Sequence, residues 1–411
     1  MEKRNLLEKY ARLAVRRGVN VQKGQPLVIR AGVDGAEFVR MCVKEAYLAG
    51  ASTVTVDWRD DELTRCKYEY QTLETLQEIP DYEYQKKKYE QDHHACYLSI
   101  SSAAPGNLKD IDPKKIRAYG AAYAEKMDDL DHYLMNNEGQ WCVIGLPGVK
   151  WAKAVYPDLP EDEALEKLLE AILKVSHVTR DNDPVKAWEE HDAVLIGHAK
   201  KMTDYNFEKL HFTSELGTDL YVGLVKDHIW VGGGDYTPEG VYFDPNIPTE
   251  EVFTMPEKTG VNGIVYASKP LSYNGKVIDG FWFRFKDGKI VEHGAKEEEE
   301  ALTELLEFDE GSRYLGEVAL VPYDSPISKM NLLFFNTLYD ENAACHLAIG
   351  NPYPENLKGG NEMSPEELKA HGANSSRQHE DFMFGTKEMS VDGITYEGEV
   401  IPVFRKGNFV I

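Results

Sequence analysis

The sequence predicts two architectures in one chain: an α/β domain with a mostly parallel sheet over residues 1–180, and a β-rich α+β domain over 181–411. The first is read from short apolar strands that alternate with amphipathic helices. The second is read from hairpin signals that replace this alternation near residue 180. A length of 411 residues also exceeds one ordinary core and fits two domains.

The opening stretch MEKRNLLEKYARLAVRRG spaces Leu and Ala at helical intervals among charges and reads as the first helix. In GQPLVIRAG, Leu27 to Ile29 form a buried strand, and GAEFVRMCVKEAYLAG is a helix ending at Gly50. STVTVDW is a β-branched strand. A charged helical stretch follows, then the strand ACYLSISS, a helix around IRAYGAAYAEKMDDLDHYL, and the strand WCVIGLPG. Helices cover about 148–175, with Pro160 and the acids after it in a first helical turn. RAGVDGAEF sets glycines between a strand and a helix, but G-x-G-x-x-G is absent. Turn chemistry accounts for these glycines, so a nucleotide-dependent oxidoreductase is not expected. Beyond 180, TDLYVGLV and HIWVGGG read as strands, and NGKVIDGFWFRFKDGKIVEHG holds the tight-turn dipeptides Asn274-Gly275 and Asp287-Gly288. One acidic helix is expected in AKEEEEALTELLEF, with Glu297 to Glu300 as its solvated start.

The composition, 42% hydrophobic and 28% charged, is that of a soluble globular protein. A net charge of −24 excludes nucleic acid and anionic membrane as partners, since both demand a positive surface. No apolar run approaches the roughly 20 residues of a membrane helix, and the start has no signal-peptide core. The cytoplasm is the expected location. Cys42, Cys66, Cys96, Cys142 and Cys345 are scattered without a C-x-x-C pair, which argues against a disulfide framework or a cysteine-based zinc site. Cys345 adjoins His346, but neighbours on a strand point to opposite faces, so the pair is no nucleophile with its base.

The residues with candidate chemistry lie in the second part. NIPTEEVFTMP offers Glu250 and Glu251, with a capped turn at Thr249 as the plainer reading. SRYLGEVALV carries Glu317 in an otherwise small, apolar run, on one strand face with Ala319 and Val321. ENAACHLAIGNPYP buries His346 and holds Tyr353 on a stiff turn. In NSSRQHEDFMFG a strand would put His379 and Asp381 on one face and Glu380 on the other. Pooled, these segments supply carboxylates and imidazoles without a thiolate, a set that suits zinc, cobalt or manganese. The set exceeds what one catalytic zinc takes, and two ions sharing a bridging carboxylate would use all of it. The residues alone therefore point to a metal hydrolase of unspecified substrate.

Together the segments resemble the thermophilic metalloaminopeptidase family of the aminopeptidase T and S type: N-I-P-T-E-E-V-F-T-x-P, G-E-V-A-L-V, H-L-A-x-G-x-x-Y-P and H-x-D-F-M-x-G followed by VDG. The resemblance spans the whole chain and is densest in the second half. It implies release of N-terminal residues from short peptides by a metal-activated water, two divalent ions, a C-terminal domain carrying the site, and a homodimer enclosing a restricted cavity. It places the metal ligands on Glu250, Glu317, His346, His379 and Asp381, and an active-site tyrosine on Tyr353. In the mechanism this implies, Glu317 or Glu250 carries the proton to the leaving amine and Tyr353 stabilises the oxyanion. Pro352, where the family pattern has a small residue, and Glu380, where it has an apolar one, bear on substrate preference. A metal-dependent amidohydrolase acting on a small non-peptide amide is the alternative, and a metal-binding protein without turnover is a more distant one.

Overall fold

The computed structural model describes residues 2–102, 104–273 and 276–411. The chain forms two compact units, Met1–Glu190 with Gly234–Pro248 and His191–Gly233 with Thr249–Ile411. It is a mixed α/β structure with one parallel sheet and several antiparallel ones.

The first unit is built on strands β1 (Leu27–Gly32), β2 (Val54–Arg59), β3 (Cys96–Ser101), β4 (Trp141–Gly145) and β5 (Asn246–Ile247). They run in the order β5-β4-β3-β1-β2, every pairing parallel. The centre of β1 and β3 is a continuous buried run, Leu27 to Ile29 and Cys96 to Leu98, as a sheet covered on both faces requires. Helix α1 (Glu2–Leu13) buries Leu7, Tyr10 and Ala11, one stripe at helical spacing. Helix α2 (Ala36–Ala49) stops at Gly50, whose φ of 104° lets its N–H turn back onto the Ala46 and Tyr47 carbonyls. Helices α3 (Pro113–Met135) and α4 (Glu161–Val175) also form, with Pro160 one position ahead of α4 as its N-cap. Strand β5 was not foreseen, because two residues carry no periodicity.

Where strand signals were expected to take over, the chain instead makes helix α5 (Pro184–Tyr205), 22 residues long. Its buried stripe runs Trp188, Asp192, Leu195, Ala199, Met202. The acid in that stripe spoils the apolar period and hides the helix from pattern reading.

In the second unit an eight-stranded antiparallel sheet runs through residues 289–294, 282–286, 256–266, 219–224, 209–213, 390–394, 400–405 and 408–409. Asp287 and Gly288 both have positive φ, 48° and 79°, as a two-residue hairpin turn demands. The Asn274-Gly275 turn lies outside the described residues. The acidic helix forms as α6 (Glu299–Leu306), with Glu299 and Glu300 in its first turn.

A second, five-stranded sheet positions the site. It contains β6 (Val252–Thr254), β7 (Leu315–Leu320), β8 (His346–Gly350) and β9 (His379–Met383), in the order β9-β8-β7-β6, with Val231–Gly232 on the far edge. All its pairings are antiparallel. One face packs Val252, Val318, Leu320, Leu347, Ile349 and Phe382 into a common core with Phe212, Val222, Phe283 and Val391 of the larger sheet. Each such side chain, fully buried, contributes roughly 1.5–3 kcal/mol. Among the described residues no helix is long and apolar enough to cross a membrane.

Candidate metal centre

Strand register decides which side chains meet on the other face of that sheet. Glu317 and Asp381 both stand opposite Ala348, Ala319 and Met383 opposite His346, and His379 opposite Gly350. Residues two apart share a face. Val318, Leu347 and Phe382 take the core, so Glu317, His346, His379 and Asp381 are turned away from it together. Ala319 and Ala348 between them leave the floor of the cluster low.

The same parity fixes the contribution of β6. Val252 lies opposite Leu320 in the core and Phe253 opposite Ala319. Counting back, Glu251 goes with Phe253 to the site face and Glu250 with Val252. The structure therefore brings Glu251, and not Glu250, to Glu317 and His346. The Glu250 carboxylate lies 3.8 Å from His191, and burial pushes it up to about 8. Its backbone N–H donates to Asn342 Oδ1 at 2.7 Å, and residues 249–251 form neither helix nor turn, so the capped turn at Thr249 does not form.

His346 Nε2 stands 2.9 Å from Glu251 Oε2 and 3.3 Å from Glu317 Oε1. On the other side, His379 Nε2 stands 3.7 Å from Glu317 Oε2 and 3.4 Å from Asp381 Oδ1. Two trios result, Glu251–Glu317–His346 and Glu317–His379–Asp381, each with its donor atoms within 4.8 Å of one another. Glu317 belongs to both and offers one oxygen to each.

The donor set fits divalent cations on three grounds. Glu251 Oε2 and Asp381 Oδ1 are buried and face no donor other than the imidazole Nε2 atoms, a penalty that a cation between them removes. Each histidine donates Nδ1–H to a backbone carbonyl, His346 to Ala344 at 3.2 Å and His379 to Asn351 at 2.7 Å. That fixes the tautomer and leaves both Nε2 atoms for an ion. Charge gives the third ground. Burial works to lower both imidazoles, yet the carboxylates overcome it, holding His346 well above the ordinary range and His379 at about 10. Burial likewise raises Glu317, whereas the two imidazoles overcome it at Asp381 and hold that carboxyl low. The cluster thus keeps protons where cations would sit, and metal uptake displaces them.

Two acids at this site stand outside the ligand set that the resemblance implied. One is Glu251, offered by the sequence beside Glu250 and separated from it only by the pairing of β6 with β7. The other is Glu341, on a short 3-10 turn, Glu341–Ala343. Burial first, then Asp381 and Glu251, push its carboxyl well above the ordinary value. Adjacency to the His346 motif was its only signal. Tyr353 lies at the rim, 37% exposed, its ring centroid 4.9 Å from that of His379 and 5.9 Å from that of Phe253. Burial and then Glu317 raise its phenol, so it stays a hydrogen-bond donor. Cys345 points into the core and donates to the Val321 carbonyl, and burial raises its thiol to about 11. It takes no part in the cluster. Glu380, opposite Ile349, also points away from it, and burial pushes it up to about 7.

A model of the thermophilic metalloprotease family, M29, matches residues 3–409. The chain belongs to that family. Among its M29 relatives, aminopeptidase AmpS of Bacillus subtilis is 46% identical over 98% of both chains. Aminopeptidase 2 of Geobacillus stearothermophilus is 43% identical over 98% of this chain and 97% of its own. The solved structure of wild-type AmpT from Thermus thermophilus superposes with a TM-score of 0.93 at 39% identity, covering 99% of this chain and all of that one. As an M29 member the chain is a metal-dependent peptidase.

Proposed function

We propose that the chain is an aminopeptidase that releases N-terminal residues from short peptides at a centre of two divalent ions. The observation that carries this reading is the position of Glu317, shared between the trios with one oxygen towards each. Glu251, Glu317 and His346 would hold one ion, and Glu317, His379 and Asp381 the other. Nitrogen and carboxylate donors of this kind suit zinc, cobalt or manganese. When bound, two such ions would supply Lewis-acid chemistry, polarising a scissile carbonyl and lowering the pKa of water.

The remaining steps belong to side chains. Both Glu317 oxygens are engaged and Glu250 is turned away, so neither is free to shuttle a proton. Glu341 belongs to neither trio; ionised once cations offset the carboxylates that keep it protonated, it would take the proton of the attacking water and return it to the leaving amine. Tyr353, protonated throughout, donates to the tetrahedral oxyanion. An acidic cluster of this kind favours a substrate with a free, positively charged α-amino group, which is the preference of an exopeptidase. The relatives' names support this choice of substrate.

The test uses purified protein stripped with chelator and reloaded separately with zinc, cobalt and manganese, assayed on a panel of short peptides. Release of the first residue should vanish and return with metal, and should fail on N-acetylated peptides. Metal-dependent cleavage of acetylated or small non-peptide amides, without release from free peptides, would replace the proposal with the amidohydrolase.

A further inference from the structure

Three backbone segments press together beside β9 at distances that only glycine permits. A Cβ on Gly350, whose φ is 110°, would meet the Gln378 carbonyl oxygen at 2.1 Å. One on Gly311 would meet the Ser375 carbonyl oxygen at 2.0 Å, and one on Gly316 the Asn351 carbonyl oxygen at 2.4 Å. That last oxygen accepts the Nδ1–H of His379. Gly316 directly precedes Glu317, so the shared carboxylate and the acceptor behind His379 are packed against each other through a residue without a side chain.

One side chain ties these segments. Asn374 is 3% exposed, and its Nδ2 donates to the Gly350 carbonyl at 2.7 Å and to the Gly311 carbonyl at 2.8 Å. Both neighbours are acceptors, so the amide orientation is determined, and Oδ1 is left buried without a hydrogen bond. A buried amide that leaves one atom unsatisfied is retained against a stability cost. What it secures is the carbonyl run Gly350–Asn351, further pinned by the Asn351 N–H donating to Gln378 at 2.7 Å.

We propose that Asn374 is a positioning residue for the metal centre. By clamping Gly350 to Gly311 it keeps the Asn351 carbonyl under Nδ1 of His379 and so aims Nε2 at its ion. This rests on the reading of His379 as a ligand given above. It acts on one trio only, because His346 takes its orientation from the separate Ala344 carbonyl.

The experiment uses the full-length protein and zinc. Asn374→Asp keeps the shape but turns a carboxylate toward two carbonyl oxygens. Gly311→Ala displaces the far anchor of the clamp, since its Cβ would meet the Ser375 carbonyl oxygen, and it adjoins no residue of either trio. Calorimetric zinc titration should show the site containing His379 weakened about tenfold or more in each variant, with the His346 site within about twofold of wild type. In the long-range proton–nitrogen spectrum of the zinc-loaded protein, the His379 Nδ1–H should lose protection from solvent exchange while that of His346 keeps it. A merely structural loss would affect both histidines alike. Wild-type affinity and protection at His379 in either folded variant overturn the proposal, as does equal weakening of both sites. His379→Ala separates the two readings. If that variant still binds two zinc ions, the ligand assignment fails, whereas loss of one ion there with wild-type zinc affinity in the Asn374 and Gly311 variants sinks only the clamp.

Discussion

On β7, β8 and β9, alternate residues meet opposite environments. Val318, Leu347 and Phe382 lie in an apolar core, while on the same strands Glu317 and His346, both buried, and the partly buried Asp381 gather charge. The first set stabilises the fold. The second costs stability, since buried carboxylates beside one another must take up protons or find cations. A one-residue slip of register would exchange the two faces. Chemistry is therefore placed on this sheet by the same alternation that builds its core, and substitutions on the two faces should separate cleanly into effects on catalysis and effects on folding.

The largest expected effect is on the polar face. Glu317→Gln should lower turnover by about 10³-fold or more, roughly 4 kcal/mol of transition-state stabilisation, with an unchanged far-ultraviolet circular dichroism spectrum. Comparable turnover in the variant would break the division. On the apolar face, Leu347→Ala should cost about 2–5 kcal/mol in denaturant unfolding, with kcat per folded molecule and metal content retained. The third prediction sharpens the division within the polar face. Glu341→Gln should lower kcat by about a hundredfold or more while two ions still bind. Glu250→Gln, on the other parity, should change kcat far less, and a reversal of that order would return the proton shuttle to Glu250.

The smallest effect concerns acid stability of the metal-free protein. Asp309 accepts hydrogen bonds from the backbone of Ser312 and Arg377 and from the Ser312 and Ser376 hydroxyls, at 2.8–3.0 Å. Burial works to raise its carboxyl, and these donors overcome it, so it lies below the ordinary value. The unfolded chain thus takes up this proton first as pH falls. The stabilisation is complete above the unfolded value of about 4 and lost as pH drops through the folded value. Asp309→Ala should flatten that acid limb in a pH series of thermal melts, and an unaltered slope would show that the carboxylate contributes nothing there.

Much of this was legible in the sequence where a pattern persisted long enough to be counted. The β1 and β3 apolar runs, the Gly50 stop of α2 and the Asp287-Gly288 turn are local signals, and they formed as read. The face shared by His379 and Asp381 followed from period two alone. Helix α5 was hidden by Asp192 in its buried stripe. Glu250 and Glu251 could not be told apart by motif, because the deciding fact is which face of β6 meets the core. That became visible only through the pairing of Val252 with Leu320, long-range in sequence. Glu341 and Asn374 carry no periodic signal, and their roles arise from turns and carbonyls that tertiary structure brings together.

The most direct measurement is the number of ions bound per chain, by elemental analysis after dialysis against zinc, in wild type, Glu317→Ala and His346→Ala. Two ions in wild type are expected, one in His346→Ala, and neither held tightly in Glu317→Ala, because that carboxylate serves both trios. A single ion in the wild type, or two retained after loss of Glu317, would contradict a shared two-metal centre.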